Sequence, residues 1–256
     1  MSTKLSVEEK AVVVPGDVLA DGMDYLPSQG TYRLGKEIRA GILGLLSVEG
    51  RALRIIPLSG RYHPKKYDVI IGMVVDVMLS GWKVDTNSAY VAVLPVRDAT
   101  SAFIRRDEDL TRIFAIGDYI VAKIINVTSQ NLIDLTTKGP GLRKLEDGRI
   151  IKANTNKVPR IIGKKGSMIS MIKNATNTNI IVGQNGVIWA KGSPKDEVIV
   201  VDTIRKIEEE AHKQGLTDNI KNYLEQRTGK KITVYNQSNE TNEINETNET
   251  NEVNET

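Results

Sequence analysis

The residues best suited to chemistry form one run, Arg160-Ile161-Ile162-Gly163-Lys164-Lys165-Gly166-Ser167-Met168-Ile169. An apolar pair enters a Gly-Lys-Lys-Gly turn, and a second apolar series leaves it at helical spacing, so the run predicts two short helices joined by a tight basic turn. Glycine lets the backbone take positive φ and approach a ligand with no Cβ in the way. A helix starting at Ser167 would aim its free N–H groups and positive dipole end at the turn. Lys164 and Lys165 add two mobile cations, and these parts together can cradle a sugar-phosphate chain. Four residues are a weak signal by themselves; the plain alternative is a helix corner whose lysines are merely solvated.

The surroundings add weight. The 44 residues from Arg149 to Gly192 hold eight cations (Arg149, Lys152, Lys157, Arg160, Lys164, Lys165, Lys173 and Lys191) and no Asp or Glu, in a chain with 32 acidic residues. Such a window suits a module that faces a polyanion. Strands are predicted at Arg149–Ala153, Asn179–Val182 and Val187–Lys191, and helices at Val158–Ile162 and Ser167–Thr176. A long helix follows, with Ser193 as its cap, Pro194 at its first position, and Val198, Val201, Ile204, Ile207 and Ala211 at helical spacing. This strand–helix–helix–strand–strand–helix order, with G-x-x-G between the first two helices, resembles a KH domain whose extra helix lies at the C-terminal end. In that family the loop clamps single-stranded RNA by its phosphates. The resemblance implies that Arg160, Gly163, Lys164, Lys165, Gly166 and Lys173 contact RNA.

Composition bounds the rest. The 256 residues suffice for two or three small domains. The absence of cysteine excludes disulfides and thiolate chemistry and makes a cytoplasmic location the expectation. The first ten residues lack the apolar core of a signal peptide, and no apolar run approaches the roughly 20 residues that span a bilayer. Residues 236–256 repeat Asn-Glu-Thr with six Glu and no Lys or Arg. They should be a disordered, solvating tail. Without those six glutamates the net charge moves from +3 to +9, so the remaining chain is basic.

Residues 1–60 read as a small β unit, with a Pro15-Gly16 turn between strands within 12–20 and further strands at 31–34, 38–45 and 52–57. No chemistry is visible there, and packing on a neighbour is its expected use. After the basic linker Arg61-Tyr62-His63-Pro64-Lys65-Lys66, strands are predicted at 67–77, 82–84, 90–94, 116–127 and 132–136. Five short strands with one longer connector fit an OB-type barrel over 61–140. Asp68-Val69-Ile70-Ile71-Gly72-Met73-Val74 and Ile116-Gly117-Asp118-Tyr119-Ile120-Val121-Ala122-Lys123-Ile124 resemble the first and fourth strands of the S-one-type RNA-binding barrel. That family stacks bases on paired aromatics of strands two and three. Here Trp82 and Tyr90 are available, and Lys83 stands where a second aromatic is common. Lys83, Arg97, Arg105, Arg106 and Lys123 could hold phosphates. Trp82 could equally fill a core, and Lys123 could lie on a solvated strand face.

The whole order resembles the RNA-binding cap subunits of the archaeal RNA exosome, the ribosomal RNA-processing protein four family. Supporting residues are Val14-Pro15-Gly16-Asp17, Gly60-Arg61-Tyr62-His63-Pro64 and Gly183-Gln184-Asn185-Gly186. The implied fold is multidomain, mainly β plus α+β: a docking domain (1–60), a barrel (61–140), a KH domain (147–214), a helical extension (215–235) and the tail (236–256). The resemblance gives Gly183, Asn185 and Gly186 a structural role, packing barrel on KH domain. It implies a non-catalytic subunit that forms a trimeric cap with itself or a related subunit. The cap sits on a hexameric phosphorolytic ring and feeds the 3′ end of single-stranded, A-rich RNA inward.

The residues agree with a chain that has no catalytic group, cofactor or metal. His63 and His212 are the only histidines, and no zinc spacing or Walker loop is present. Asp107-Glu108-Asp109 could hold Mg²⁺ but lies beside Arg105 and Arg106. The competing expectation is a free-standing transcription or translation factor, for which a docking domain would have no purpose. A polynucleotide phosphorylase-type nuclease would need two large catalytic domains for which there is no room.

Overall fold

The computed structural model describes residues 4–58, 60–100, 109–213 and 215–231. The N-terminal part forms eight short strands: β1 (Lys4–Leu5), β2 (Val12–Val13), β3 (Val18–Asp21), β4 (Leu26–Pro27), β5 (Thr31–Leu34), β6 (Glu37–Ala40), β7 (Gly44–Glu49) and β8 (Ala52–Pro57). They make two four-stranded sheets, ordered β1-β3-β6-β5 and β2-β7-β8-β4. One buried cluster draws Leu19, Ala20, Ile38 and Ala40 from the first sheet and Val13, Leu46, Leu53 and Ile55 from the second. The strands expected on either side of Pro15-Gly16 are present as β2 and β3, which pair with β7 and β6. One sequence expectation needs correction. The strand expected at 38–45 is broken at 41–43, and its halves serve different sheets. Each sheet has one apolar face, and crossing between sheets lets both faces share one core.

The barrel follows as β9 (Val69–Met78), β10 (Gly81–Asp85), β11 (Val91–Pro95), a single helical turn α1 (Val96–Ala99), β12 (Tyr119–Val127) and β13 (Ile133–Thr136). Its order β13-β11-β10-β9-β12 closes because β13 also pairs with β12, so the sheet has no free edge there. A short β14 (Lys144–Leu145) adds to β12. Period-two alternation sends Ile70 and Val74, Trp82 and Val84, and Ile120, Ala122 and Ile124 inward.

The last unit is β15 (Arg149–Lys152), α2 (Val158–Ile162), α3 (Ser167–Thr176), β16 (Asn179–Val182), β17 (Val187–Lys191), α4 (Pro194–Glu210) and α5 (Leu216–Thr228). Its three antiparallel strands run β15-β17-β16. Ser193 caps α4 by accepting from the Asp196 N–H at 3.3 Å. The buried face of α4 is Val200, Thr203, Ile204 and Ile207, whereas Val198, expected in the core, is 43% exposed. Leu216, Ile220 and Leu224 of α5 complete the same core. Among the described residues no helix is long and apolar enough to cross a membrane.

Candidate nucleic-acid interface

At the basic turn the backbone dictates the residue types. Gly163 has φ 76° and ψ 173°, a region that is essentially open to glycine alone. A Cβ there would lie 2.7 Å from both the N and the Cβ of Met168. Lys165 (φ 52°) and Gly166 (φ 80°) are both left-handed, and no side chain caps the start of α3. The chain thus folds back on itself around Lys164 and Lys165, both exposed, while the N–H groups of Gly163, Gly166 and Ser167 donate to the carbonyls of Pro159, Gly163 and Lys164. Gly163→Ala is expected to lower stability by about 1–3 kcal/mol, from backbone strain added to the clash. Urea unfolding would measure this, and a loss below about 0.5 kcal/mol would show that the loop can relax.

The acid-free window divides into structural and uncompensated cations. Arg149 pairs with Glu197 at 3.6 Å and Lys191 with Asp147 at 3.0 Å. Lys157 Nζ donates to the Glu208 carbonyl at 2.6 Å. Lys152, Arg160, Lys164, Lys165 and Lys173 have no acidic partner among the described residues. Arg160 sits on α2 just before the turn. Lys173 stands in the last turn of α3, about 9 Å along the axis from Ser167. At that position its charge also complements the negative end of the helix.

The barrel residues are arranged differently. Trp82 is fully buried, its indole N–H donates to the Phe114 carbonyl at 2.9 Å, and its ring meets Phe114 edge-on. It is therefore a core residue, and the expectation that it stacks a base is corrected. Lys83, next along β10, points to the opposite side, exposed and 3.5 Å from Asp76. Arg97 is likewise paired, 3.1 Å from Asp98. Tyr90 is 37% exposed at the β10–β11 turn. Lys123 on β12 stands over the ring of Tyr67. Arg105 and Arg106 lie outside the described residues.

Sequence reasoning missed a cleft of about 730 Å³ that reaches the basic turn. One wall is the N-terminal unit at Arg54 and Ile56, the second is the linker at Arg61, His63 and Lys65, and the third is α2 with Gly163. Arg54 is held by Glu49 at 2.7 Å. The density of cations in residues 61–66 was the available signal for the linker. Nothing local marks Arg54, which domain packing alone brings there.

Gly183-Gln184-Asn185-Gly186 forms the β16–β17 turn and joins two units. Asn185 is fully buried. Its Nδ2 donates to the carbonyls of Ile71 (2.8 Å) and Thr86 (2.9 Å), and its Oδ1 accepts from the Ile71 N–H at 3.3 Å. The Gln184 N–H donates to the Val69 carbonyl at 2.9 Å. A Cβ on Gly183 would meet Asn185 Oδ1 at 2.4 Å and Ile71 N at 2.8 Å, so closeness of approach requires glycine. Beside this contact Ile71, Val121 and Leu145 pack on Val187 and Trp189. Of the acidic trio, Asp107 and Glu108 lie outside the described residues. Asp109 caps a turn, and hydrogen bonds from the Thr111 hydroxyl and N–H hold its carboxyl below the ordinary value.

Similarity to known proteins runs the length of these units. Residues 10–59 match the family described as the exosome RNA binding protein RRP4 N-terminal domain, residues 61–124 the RRP4 S1 domain, and residues 148–196 the KH domain. Exosome complex component Rrp4 of Methanobrevibacter smithii is 44% identical over 218 residues, covering 85% of this chain and 72% of the relative. The Rrp4 of Methanothermus fervidus is 44% identical over 220 residues, covering 86% of this chain and 97% of the relative. A crystal structure described provisionally as an exosome complex RNA-binding protein superposes with a TM-score of 0.60 at 36% identity, covering 66% of this chain and 97% of that one. The chain belongs to the Rrp4 family of exosome complex components.

Proposed function

We propose that this chain is a non-catalytic, RNA-binding cap subunit of an exosome in the cytoplasm, gripping single-stranded RNA and passing its 3′ end to an exoribonuclease ring. The observation that carries this is the set of cations without acidic partners among the described residues, gathered around an exposed turn whose backbone requires glycine. That turn opens into a cleft lined by further cations. Phosphates would be held at Gly163, Lys164, Lys165 and Gly166, with Arg160 and Lys173 flanking and Lys123 serving on the barrel. Lys83 and Arg97 could contribute only by exchanging a surface carboxylate for a phosphate, and such exposed pairs are worth only about 0–1 kcal/mol. Gly183, Asn185 and Gly186 fix the barrel against the KH unit and touch no RNA.

Docking on a larger assembly is favoured over a free-standing factor by the N-terminal surface. Ten of the eighteen exposed large apolar side chains among the described residues lie between Val12 and Leu58, with Met23 72% and Val12 62% exposed. Apolar surface so concentrated on one unit suits a protein interface. A cap of three copies on a six-membered ring is the expected arrangement.

Purified chain incubated with labelled oligoadenylate, Mg²⁺ and phosphate is expected to retard the RNA without shortening it. Shortening above a mock preparation would overturn the non-catalytic assignment. Absence of a ring on native purification would overturn the cap assignment.

A further inference from the structure

Removing Trp82 from the binding surface leaves Tyr90 as the barrel's one expected aromatic still exposed, and a second, more open ring stands elsewhere on the barrel. Tyr67, two residues before β9, is 64% exposed, the most open aromatic among the described residues. Its backbone has φ 74°, a left-handed conformation that is an outlier for a bulky side chain and persists only where the surroundings enforce it. Here the Tyr67 N–H donates to the Ile124 carbonyl at 2.8 Å, and the Asp68 N–H to the Lys65 carbonyl at 3.2 Å. Two ammonium groups attend the ring, Lys66 at 5.1 Å and Lys123 at 5.4 Å from its centroid. The chain neighbours Lys65 and Asp68 line the cleft that reaches the KH turn. An open ring on a rigid corner flanked by cations has the parts of a stacking platform for single-stranded nucleic acid.

We infer that Tyr67 is a base-stacking post for single-stranded RNA, with Lys66 and Lys123 leaving the ring to take the phosphates on either side of the stacked base. This rests on the RNA-binding assignment above and adds a position to it. Nothing but stacking and simple charge is involved, so the post should tolerate different bases.

The test uses the full chain and fluorescent oligoadenylate, with Tyr67→Asn and Tyr67→Phe. Asn tolerates left-handed backbone, so Tyr67→Asn should melt no lower than the parent. It should bind RNA about tenfold more weakly, as the loss of one stacked base requires. The salt slope should stay the same, because no charge is removed. Tyr67→Phe should keep the affinity. Parental affinity in Tyr67→Asn would overturn the post while leaving the RNA-binding assignment intact. Failure of the parent chain to bind would overturn both. Unchanged RNA affinity with loss of co-purifying protein would reassign Tyr67 to a protein contact and overturn the post.

Discussion

Asn185→Ala is expected to destabilise the protein by about 3–5 kcal/mol, because the change strands several buried groups at once. The strands β9 and β10 pair through Met73 and Asp85 and part beyond that point. The Asn185 amide fills the gap, bonding Ile71 of β9 on one side and Thr86, just past β10, on the other. Without it, the Ile71 N–H and the carbonyls of Ile71 and Thr86 lose their partner in a site closed to water. Each such group costs about 1–3 kcal/mol, reduced where neighbours relax. The two tryptophans offer a readout, since Trp82 sits in the barrel core and Trp189 in the contact between units. Urea unfolding should move the Trp189 signal to lower concentration than the Trp82 signal, as the two units part before the barrel melts.

Asn185→Asp sharpens the expectation. A carboxylate would face two carbonyls at 2.8 and 2.9 Å with no proton to give either. The folded-state pKa should then rise above the unfolded value of about 3.9. A raised folded pKa means that the folded state binds more protons, so the variant should lose stability as pH rises through its folded pKa and regain some below it. A loss under about 1 kcal/mol in Asn185→Ala, with no pH dependence in Asn185→Asp, would mean that the apolar contact alone joins the units.

The KH elements were legible because each carries a local mark. Ser193 and Pro194 announce α4, the glycines announce the turn, and apolar residues recur at the spacing each element needs. The barrel strands were legible for the same reason, yet the side to which Trp82 points was left open between core and surface. Trp82 and Lys83 are neighbours on one strand and must point to opposite sides, so a surface that uses Lys83 cannot use Trp82. Alternation with buried Val84 was the clue that placed the indole inside. Arg54 lines the same cleft as Arg61 and Lys65 only because the units pack together, and a pattern of local spacing carries no trace of that. Tyr67 was equally hidden, since its left-handed backbone follows from the corner it turns and not from its own preference.

Reversing the charge of the turn with Lys164→Asp and Lys165→Asp should have the largest effect on binding. Each phosphate contact with single-stranded nucleic acid contributes about 0.7 to the slope of log affinity against log salt, so losing two should flatten the slope by about 1.4. Relative to 1 M salt, that is a loss of about 25-fold at 0.1 M before any repulsion from the new carboxylates. The folded state should respond in the opposite direction. Neither lysine has an acidic partner among the described residues to lose. Lys165 holds φ 52°, which Asp accepts more readily than Lys. Two carboxylates at the start of α3 also favour its dipole by about 0.3–1 kcal/mol each. Thermal unfolding should therefore show a variant at least as stable as its parent, and fluorescence anisotropy should show one that has lost RNA. Parental affinity and slope would move the binding surface to the barrel, with Tyr67 and Lys123 at its centre. Lower affinity together with stability that does not fall would mean that these lysines give up helix stability in exchange for contact with phosphate.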